Sequence, residues 1–437
     1  MRDILIGILE SIYGTAILTW WIFLPIILFF PLRKIYLIYI QDRYIKKMSW
    51  TLLEIKVPKE ILKTPKAMEQ VFAATYADCT HGITFLQLYL DGLLDSWYSF
   101  EIVGHAGGVH FYVYTQTKRR NVIESAIYSQ YPDAEIHEVP DYVATFGSVL
   151  PNEVYDIWGT DLGLKRESAY PIRTYPYFEA MVEEQRLDPI SAITEVMSGL
   201  KDDEAIWLQF VISPSDDDVG NDWKKEGEEL IDKITGRQAA EARKGIGAVL
   251  IDWFSNLFMA PVEHPIWPDA DEKAAVGVIK FLNPSEQEIV KNIDAKISKL
   301  GFETNIRFIY VDKRDSFTSA NAVAVMGTIR QFNTQSGNIF KPGKQLTLNK
   351  GWRPRFIPFY AKLHLLYVKR KLFSAYRDRQ VGSRRVGKYR PTSAKIHTFN
   401  TEELATLYHF PITSVGAPKL RRLEAQKGAP PAGLPIE

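Results

Sequence analysis

Gly382-Ser383-Arg384-Arg385-Val386-Gly387-Lys388-Tyr389 comes within one residue of the phosphate-binding loop GxxxxGK[ST], whose amides and lysine hold nucleotide phosphates. The departure falls where the chemistry is most demanding. The last position must offer Mg²⁺ a hydroxyl at a helix start, and a tyrosine is too long to place one there. The loop should also follow a buried apolar strand, whereas Tyr376 to Gln380 is polar and basic, so nucleotide hydrolysis is not expected of this chain. His105 and His110 flank a turn and could face each other, and Cys79 lies near His81. Two ligands do not make a zinc site, which needs three or four. Asp216, Asp217 and Asp218 lack the spacing and the terminal glutamate of a calcium loop, and suit a helix start instead. Neither GxSxG nor HExxH occurs. No catalytic residue, cofactor or metal is expected.

Charge carries the sharpest signal. Between Lys341 and Lys395 sixteen basic side chains face one acid, Asp378, although the whole chain has a net charge of +1. Trp352, Phe356, Phe359, Tyr360, Tyr367, Phe373, Tyr376 and Tyr389 are interleaved with them. Basic and aromatic residues together suit nucleic acid, the anionic cytoplasmic leaflet or an acidic protein face. The residues expected to bind such a polyanion are Lys369, Arg370, Lys371, Arg377, Arg379, Arg384, Arg385, Lys388 and Arg390. An ordinary solvated helix, neutralised by the acidic remainder of the chain, is the plainer alternative.

Something must hold this segment near its target, and the N-terminus supplies a candidate. Ile12 to Phe30 carries no charge and, at about 1.5 Å per residue, matches a bilayer's hydrocarbon thickness. Pro25 is placed to kink it, which a membrane helix tolerates, and Tyr13, Trp20, Trp21 and Tyr36 suit the interfaces. Pro31, Leu32, Arg33 and Lys34 follow in place of the small residues of a cleavage site. With Arg33, Lys34, Arg43, Lys46 and Lys47 after the span, the positive-inside bias puts the C-terminal body in the cytoplasm. A single cysteine, Cys79, suits that reducing compartment.

The body reads as α+β. Strand-like Thr51 to Val57, a helix over Lys66 to Ala77, strands Trp97 to His105 and Val109 to Thr115 around a glycine turn, a helix over Lys118 to Tyr131 and a strand Ala134 to Val139 follow one another. That order, β-α-β-β-α-β, is the ferredoxin-like unit. A looser second pass runs through strand 156–165, helix 189–200, strand 205–212, a third strand at 275–282, a helix at 284–300 and a closing strand at 303–311. The expected division is an anchor and juxtamembrane helix over 1–48, a first ferredoxin-like domain over 49–150, a second over 151–335 with an insertion at 214–272, and a basic helical region with a proline-rich tail over 336–437. Within the insertion, Gly245 to Met259 is an apolar stretch too short to span a membrane. Near the C-terminus a helix is expected over Phe356 to Arg379, and a short one over Thr401 to His409 capped by Asn400.

Several passages resemble an uncharacterised family of membrane-anchored proteins from candidate-phylum bacteria, associated with gene clusters like those of type IV secretion and conjugation. They are Lys63 to Phe72, Glu124 to Glu135, Gln331 to Thr334, Asn400 to Pro411 and the tail Lys427 to Pro435. The stretch around Asn400 to Pro411 is also similar to what precedes the motor domain of some conjugative translocation ATPases. The family has no established catalytic residues to carry over. The resemblance implies a non-hydrolytic membrane component working beside such an ATPase, with Asn400, Glu402, Glu403, Leu404, Tyr408, His409, Phe410 and Pro411 as a partner-docking motif. The expectation is therefore a single-pass scaffold docking an ATPase or a polyanion at the cytoplasmic face. A membrane enzyme with a site assembled from distant residues is the alternative, which a deep pocket with convergent polar groups would favour.

Overall fold

The computed structural model describes residues 2–58, 63–77, 84, 86–94, 96–106, 108–178, 188–215, 223–236, 282–318, 320–343, 358–379 and 396–411, with some side chains of 2–26 and 358–361 outside that description. A helix α1 (Arg2–Lys46) leads into β1 (Trp50–Lys56), α2 (Lys66–Tyr76), β2 (Tyr98–His105), β3 (Gly108–Gln116), α3 (Arg120–Gln130) and β4 (Glu135–Val139). The strands pair antiparallel in the spatial order β4-β1-β3-β2, so the first half has the β-α-β-β-α-β order expected of it.

The second half repeats that path with its parts spaced differently. β5 (Tyr155–Leu164), α4 (Ser191–Ser198), β6 (Ala205–Pro214), α5 (Trp223–Thr235), α6 (Pro284–Ile297), β7 (Gly301–Lys313), α7 (Ala320–Ile329) and β8 (Phe340–Pro342) follow in sequence. Their spatial order is β6-β7-β5-β8, all antiparallel. Strand 301–313 is therefore the third of this half, paired with β6, and not the closing one. The closing strand is β8, three residues long with a proline, and the second helix is α7. The connection between β6 and β7 spans 215–300, longer than the expected 214–272, and contains α5 and α6; most of the strand expected at 275–282, and all of Gly245 to Met259, lie outside the described residues.

The halves meet along β2 and β6, paired antiparallel from Tyr98↔Ile212 to His105↔Ala205. One sheet of nine described antiparallel strands results, and α4 of the second half packs on β2 and β3 of the first. Gly104 permits this, because a Cβ there would stand 2.5 Å from that of Met197.

Strand alternation sorts the side chains between two faces. Tyr98, Phe100 and Ile102 of β2, with Phe210 and Ile212 of β6 and Phe302 and Phe308 of β7, face α2, α3, α4 and α7 in the main core. Val103, Trp207, Ile309 and Val311 point the other way, beneath a helix α8 (Pro358–Arg377) that contributes Leu372, Phe373 and Tyr376. The described parts of 336–437 are thus built into the body. Besides β8 and α8 they supply β9 (His397–Asn400), paired with the first residues of β7, and α9 (Thr401–Leu407), packed on α2.

Among the described residues no helix is long and apolar enough to cross a membrane, so the span expected over Ile12 to Phe30 is unsupported there. The backbone of that stretch lies within the single helix α1. Its described side chains Trp21, Leu24, Ile27, Leu28, Phe29 and Phe30 are exposed.

Candidate functional site

The basic segment divides into three fates. On α8, Val368, Leu372, Phe373 and Tyr376 recur at helical spacing and bury against the sheet, Tyr376 stacking on Trp207 at 5.3 Å between ring centroids. The opposite stripe, with Lys362, Leu363, Tyr367, Arg370 and Lys371, faces solvent. Lys369 turns aside to Asp156 at 2.7 Å, and Arg377 donates to Asp378 at 2.9 Å and to the Ser148 carbonyl at 2.7 Å. Arg384, Arg385, Lys388 and Arg390 lie outside the described residues, as do Gly382 to Tyr389, Cys79, His81 and Asp216 to Asp218.

Arg379 is not presented to a polyanion at all. It is 1% exposed and is clamped by two carboxylates. Its guanidinium donates to both oxygens of Glu101, at 3.0 and 3.2 Å, and to both of Asp141, at 2.6 and 3.1 Å, while lying 4.2 Å from the centre of the Tyr114 ring. Glu101, wholly buried in β2, also accepts from Ser99 at 2.6 Å, Gln209 at 2.9 Å and Tyr142 at 2.7 Å. Gln209 in turn accepts from Arg307 at 2.8 Å, and Tyr142 meets Tyr376 hydroxyl to hydroxyl at 2.6 Å. Burial pulls the Arg379 pKa down, but Glu101 and Asp141 outweigh it and hold the group well above its ordinary value. Burial, then the Glu101 charge, pushes Tyr142 and Tyr376 well up, so both phenols stay protonated. Arg379 has φ +44°, a left-handed backbone that costs an L-residue about 1–2 kcal/mol, and the double clamp holds it there. The cluster pins α8 and the 141–146 turn to the sheet.

The Asn400 to Pro411 motif is also interior. Asn400 caps α9, as its sequence predicts, and the structure adds a reciprocal box with Glu403. Glu403 is fully buried and pairs with Lys296 at 2.9 Å, and His409, 1% exposed, lies 3.0 Å from Asp188. Leu404, Tyr408, Phe410 and Pro411 are buried, Phe410 edge-on to Phe111 and Tyr131. Only Glu402 is half-exposed, and it binds Lys299 at 2.5 Å. Most of these residues bind the two halves of the fold to each other, and of the motif only Asn400 and Glu402 reach an open cleft.

A cleft of about 620 Å³ opens where the 171–178 loop, α6 and the 334–337 turn converge, lined by Arg173, Tyr177, Asn292, Lys296, Ser336 and Glu402 among others. Lys296 at its wall is sealed by both Glu403 oxygens and, at 3.4 Å, the Tyr170 carbonyl. Burial lowers the Lys296 pKa, with Glu403 acting against it. Elsewhere His105 and His110 stack with ring centroids 4.5 Å apart, and His110 Nδ1 lies 2.6 Å from Glu54. Among the described residues no three His, Cys, Asp or Glu side chains converge as a metal site would require.

The Glu101 cluster is invisible to motif searching because its members lie up to 278 residues apart. One signal was present. An acid inside the apolar run Tyr98 to Val103 must find a charge partner if the strand is central. Residues 49–420 match the model of a family described as "Domain of unknown function (DUF8128)". No curated protein matches the chain.

Proposed function

As the chain belongs to the DUF8128 family, we propose that it is a membrane-anchored, non-enzymatic scaffold whose two ferredoxin-like units stand at the cytoplasmic face. The observation that carries this reading is the first helix. Trp21, Leu24, Ile27, Leu28, Phe29 and Phe30 are exposed along an uncharged run, and a row of large apolar side chains in water calls for a cover, which a bilayer provides. The cations Arg33, Lys34, Arg43, Lys46 and Lys47 follow it and favour the cytoplasmic side for the body. The resemblance of Lys63 to Phe72 and Glu124 to Glu135 supports an accessory role in a type IV secretion-like or conjugation-like apparatus, beside a translocation ATPase. For docking a polyanion, the exposed stripe Lys362, Tyr367, Arg370 and Lys371 of α8 is the surface at hand, since Arg379 is spent internally.

Alkaline carbonate extraction of membranes tests the anchor. The chain should stay in the pellet and, with residues 2–48 removed, should be released; a full-length chain in the soluble fraction would sink the reading. Affinity purification from gently solubilised membranes then tests the apparatus, by the presence or absence of a translocation ATPase. A second reading, an enzyme acting in the cleft beside Lys296, is favoured only by the polar side chains within its mixed lining. Turnover or ligand binding lost in Asn292→Ala and Ser336→Ala would establish it in place of the scaffold.

A further inference from the structure

We propose that the turn Gln87–Asp91 is a second membrane-contact element, resting on the anionic phospholipid surface beside the first helix; the proposal rests on the membrane reading above. The turn is a single π-helical turn ended by Gly92 in the left-handed region, at φ +67°. Leu86 and Leu90, four residues apart and so on one face, are 66% and 69% exposed.

The turn is welded to α1. The Arg33 guanidinium donates to the Tyr89 hydroxyl at 2.5 Å and lies 5.5 Å from the centre of its ring, and Tyr36 donates to the Tyr89 carbonyl at 3.0 Å. Gly92 lies so close to α1 that a Cβ there would stand 2.4 Å from the Ile40 side chain and 2.7 Å from its carbonyl. The depth of the turn is therefore set by the depth of α1. Arg33 is three residues past Phe30, the end of the uncharged run, which is about 4.5 Å along the helix axis. With Ile12 to Phe30 in hydrocarbon, Leu86 and Leu90 reach the headgroup–acyl boundary, where amphipathic elements bury their apolar face.

The neighbouring side chains suit the same level. Just past the uncharged run Leu32, Arg33, Lys34 and Ile35 of α1 are exposed, and Arg43, Lys46 and Lys47 follow about 20–25 Å along the axis from Phe30; among the described residues nearby, Asp91 is exposed and Asp42 is half-buried and paired with Lys46. Aliphatic tips and cations at that level, with further cations above it, complement an anionic leaflet. Because the turn runs on through 92–97 into β2, this contact would fix the tilt of the whole sheet over the bilayer.

The test uses the full chain in a Cys79→Ser background, reconstituted into vesicles of equal parts phosphatidylcholine and phosphatidylglycerol. Single cysteines replacing Ile27, Leu86, Leu90 or Val323 carry a bimane label, read by its emission maximum and its quenching by lipids brominated near the headgroup. We expect blue-shifted, lipid-quenched emission at positions 27, 86 and 90 and none at 323. If position 27 is also unquenched, the membrane reading has failed. If 27 is quenched while 86 and 90 are quenched only by aqueous iodide, the anchor stands and the second contact is overturned. If 86 and 90 are shielded from both quenchers, a protein covers the turn, and the lipid assignment is likewise overturned. Unchanged near-ultraviolet circular dichroism shows that each labelled chain is folded.

Discussion

Replacing Arg379 by methionine isolates what the interior clamp contributes. The change removes two hydrogen bonds to Glu101, which is wholly buried, and two to Asp141, whose side chain is 37% exposed. Water can take over at Asp141, so that half costs no more than about 1 kcal/mol. At Glu101 no such relief exists. Its carboxylate keeps the Ser99, Gln209 and Tyr142 donors but loses its cation, and stranding a buried charge in this way costs about 3–5 kcal/mol. With an unfolding entropy of about 2.1 cal/mol/K per residue, a body of this size loses roughly 4–6 °C of melting midpoint for that change. Differential scanning fluorimetry of the full chain in detergent measures it, with Arg370→Met as the exposed control, expected within about 0.5 kcal/mol of the parent. Glu101→Gln combined with Arg379→Met should recover part of the loss, since no charge is then left behind. A loss below about 1 kcal/mol for Arg379→Met, or one no larger than that of Arg370→Met, would refute the reasoning and return Arg379 to the list of solvent-facing cations.

Phe410→Ala should cost about 3–5 kcal/mol in the same melting assay, because the ring is 1% exposed between Phe111 and Tyr131; a neutral result would make the motif a surface again. Arg370→Ser with Lys371→Ser should leave the melting midpoint unchanged yet weaken binding of the full chain to a soluble polyanion such as single-stranded DNA, with a smaller salt slope, as measured by titration at several salt concentrations. In alkali the buried phenols should resist ionisation. Burial pushes Tyr114 up to about 12 and raises Tyr131 and Tyr408 as well, so the unfolded chain loses its phenolic protons first. Their contribution is intact below the ordinary value near 10 and is lost as pH rises through the folded values, so tyrosinate absorbance should lag and then appear together with unfolding. Full ionisation of these phenols near pH 10 in a chain whose circular dichroism is native would contradict the burial.

The first half of the body is legible because each of its strands alternates and its turn carries glycine, so Tyr98 to His105 and Gly108 to Gln116 emerge close to their sequence-predicted bounds. The second half misleads for identifiable reasons. Its closing strand is three residues with a proline, and α7 (ANAVAVMGTI) is apolar nearly all round, so neither shows a period. The helix 284–297 is legible from the proline that opens it but belongs to the connection between β6 and β7, a fact that only the pairing register reveals. Charge clustering singled out the basic segment and said nothing of which cations would turn inward. That depends on Glu101 and Asp156, acids far upstream. Likewise Asn400 to Pro411 carries a cap and aromatics that suit a docking motif, and the same features close a core once Phe72, Phe100 and Phe111 are seen around Tyr408.

The burial of Tyr408 and Phe410 against the first half has a consequence for how the chain comes off the ribosome. The four strands of that half are contiguous and complete by Val139, yet the side chains that seal its core arrive only with residue 410. At about 5–20 residues per second, the intervening stretch takes roughly 15–55 s to emerge. Throughout that interval Phe72, Phe100 and Phe111 lack their last neighbour. The nascent first half must wait, half-covered, for its own C-terminus, and a ribosome stalled before residue 400 leaves a product that chaperones should hold and proteases should clear.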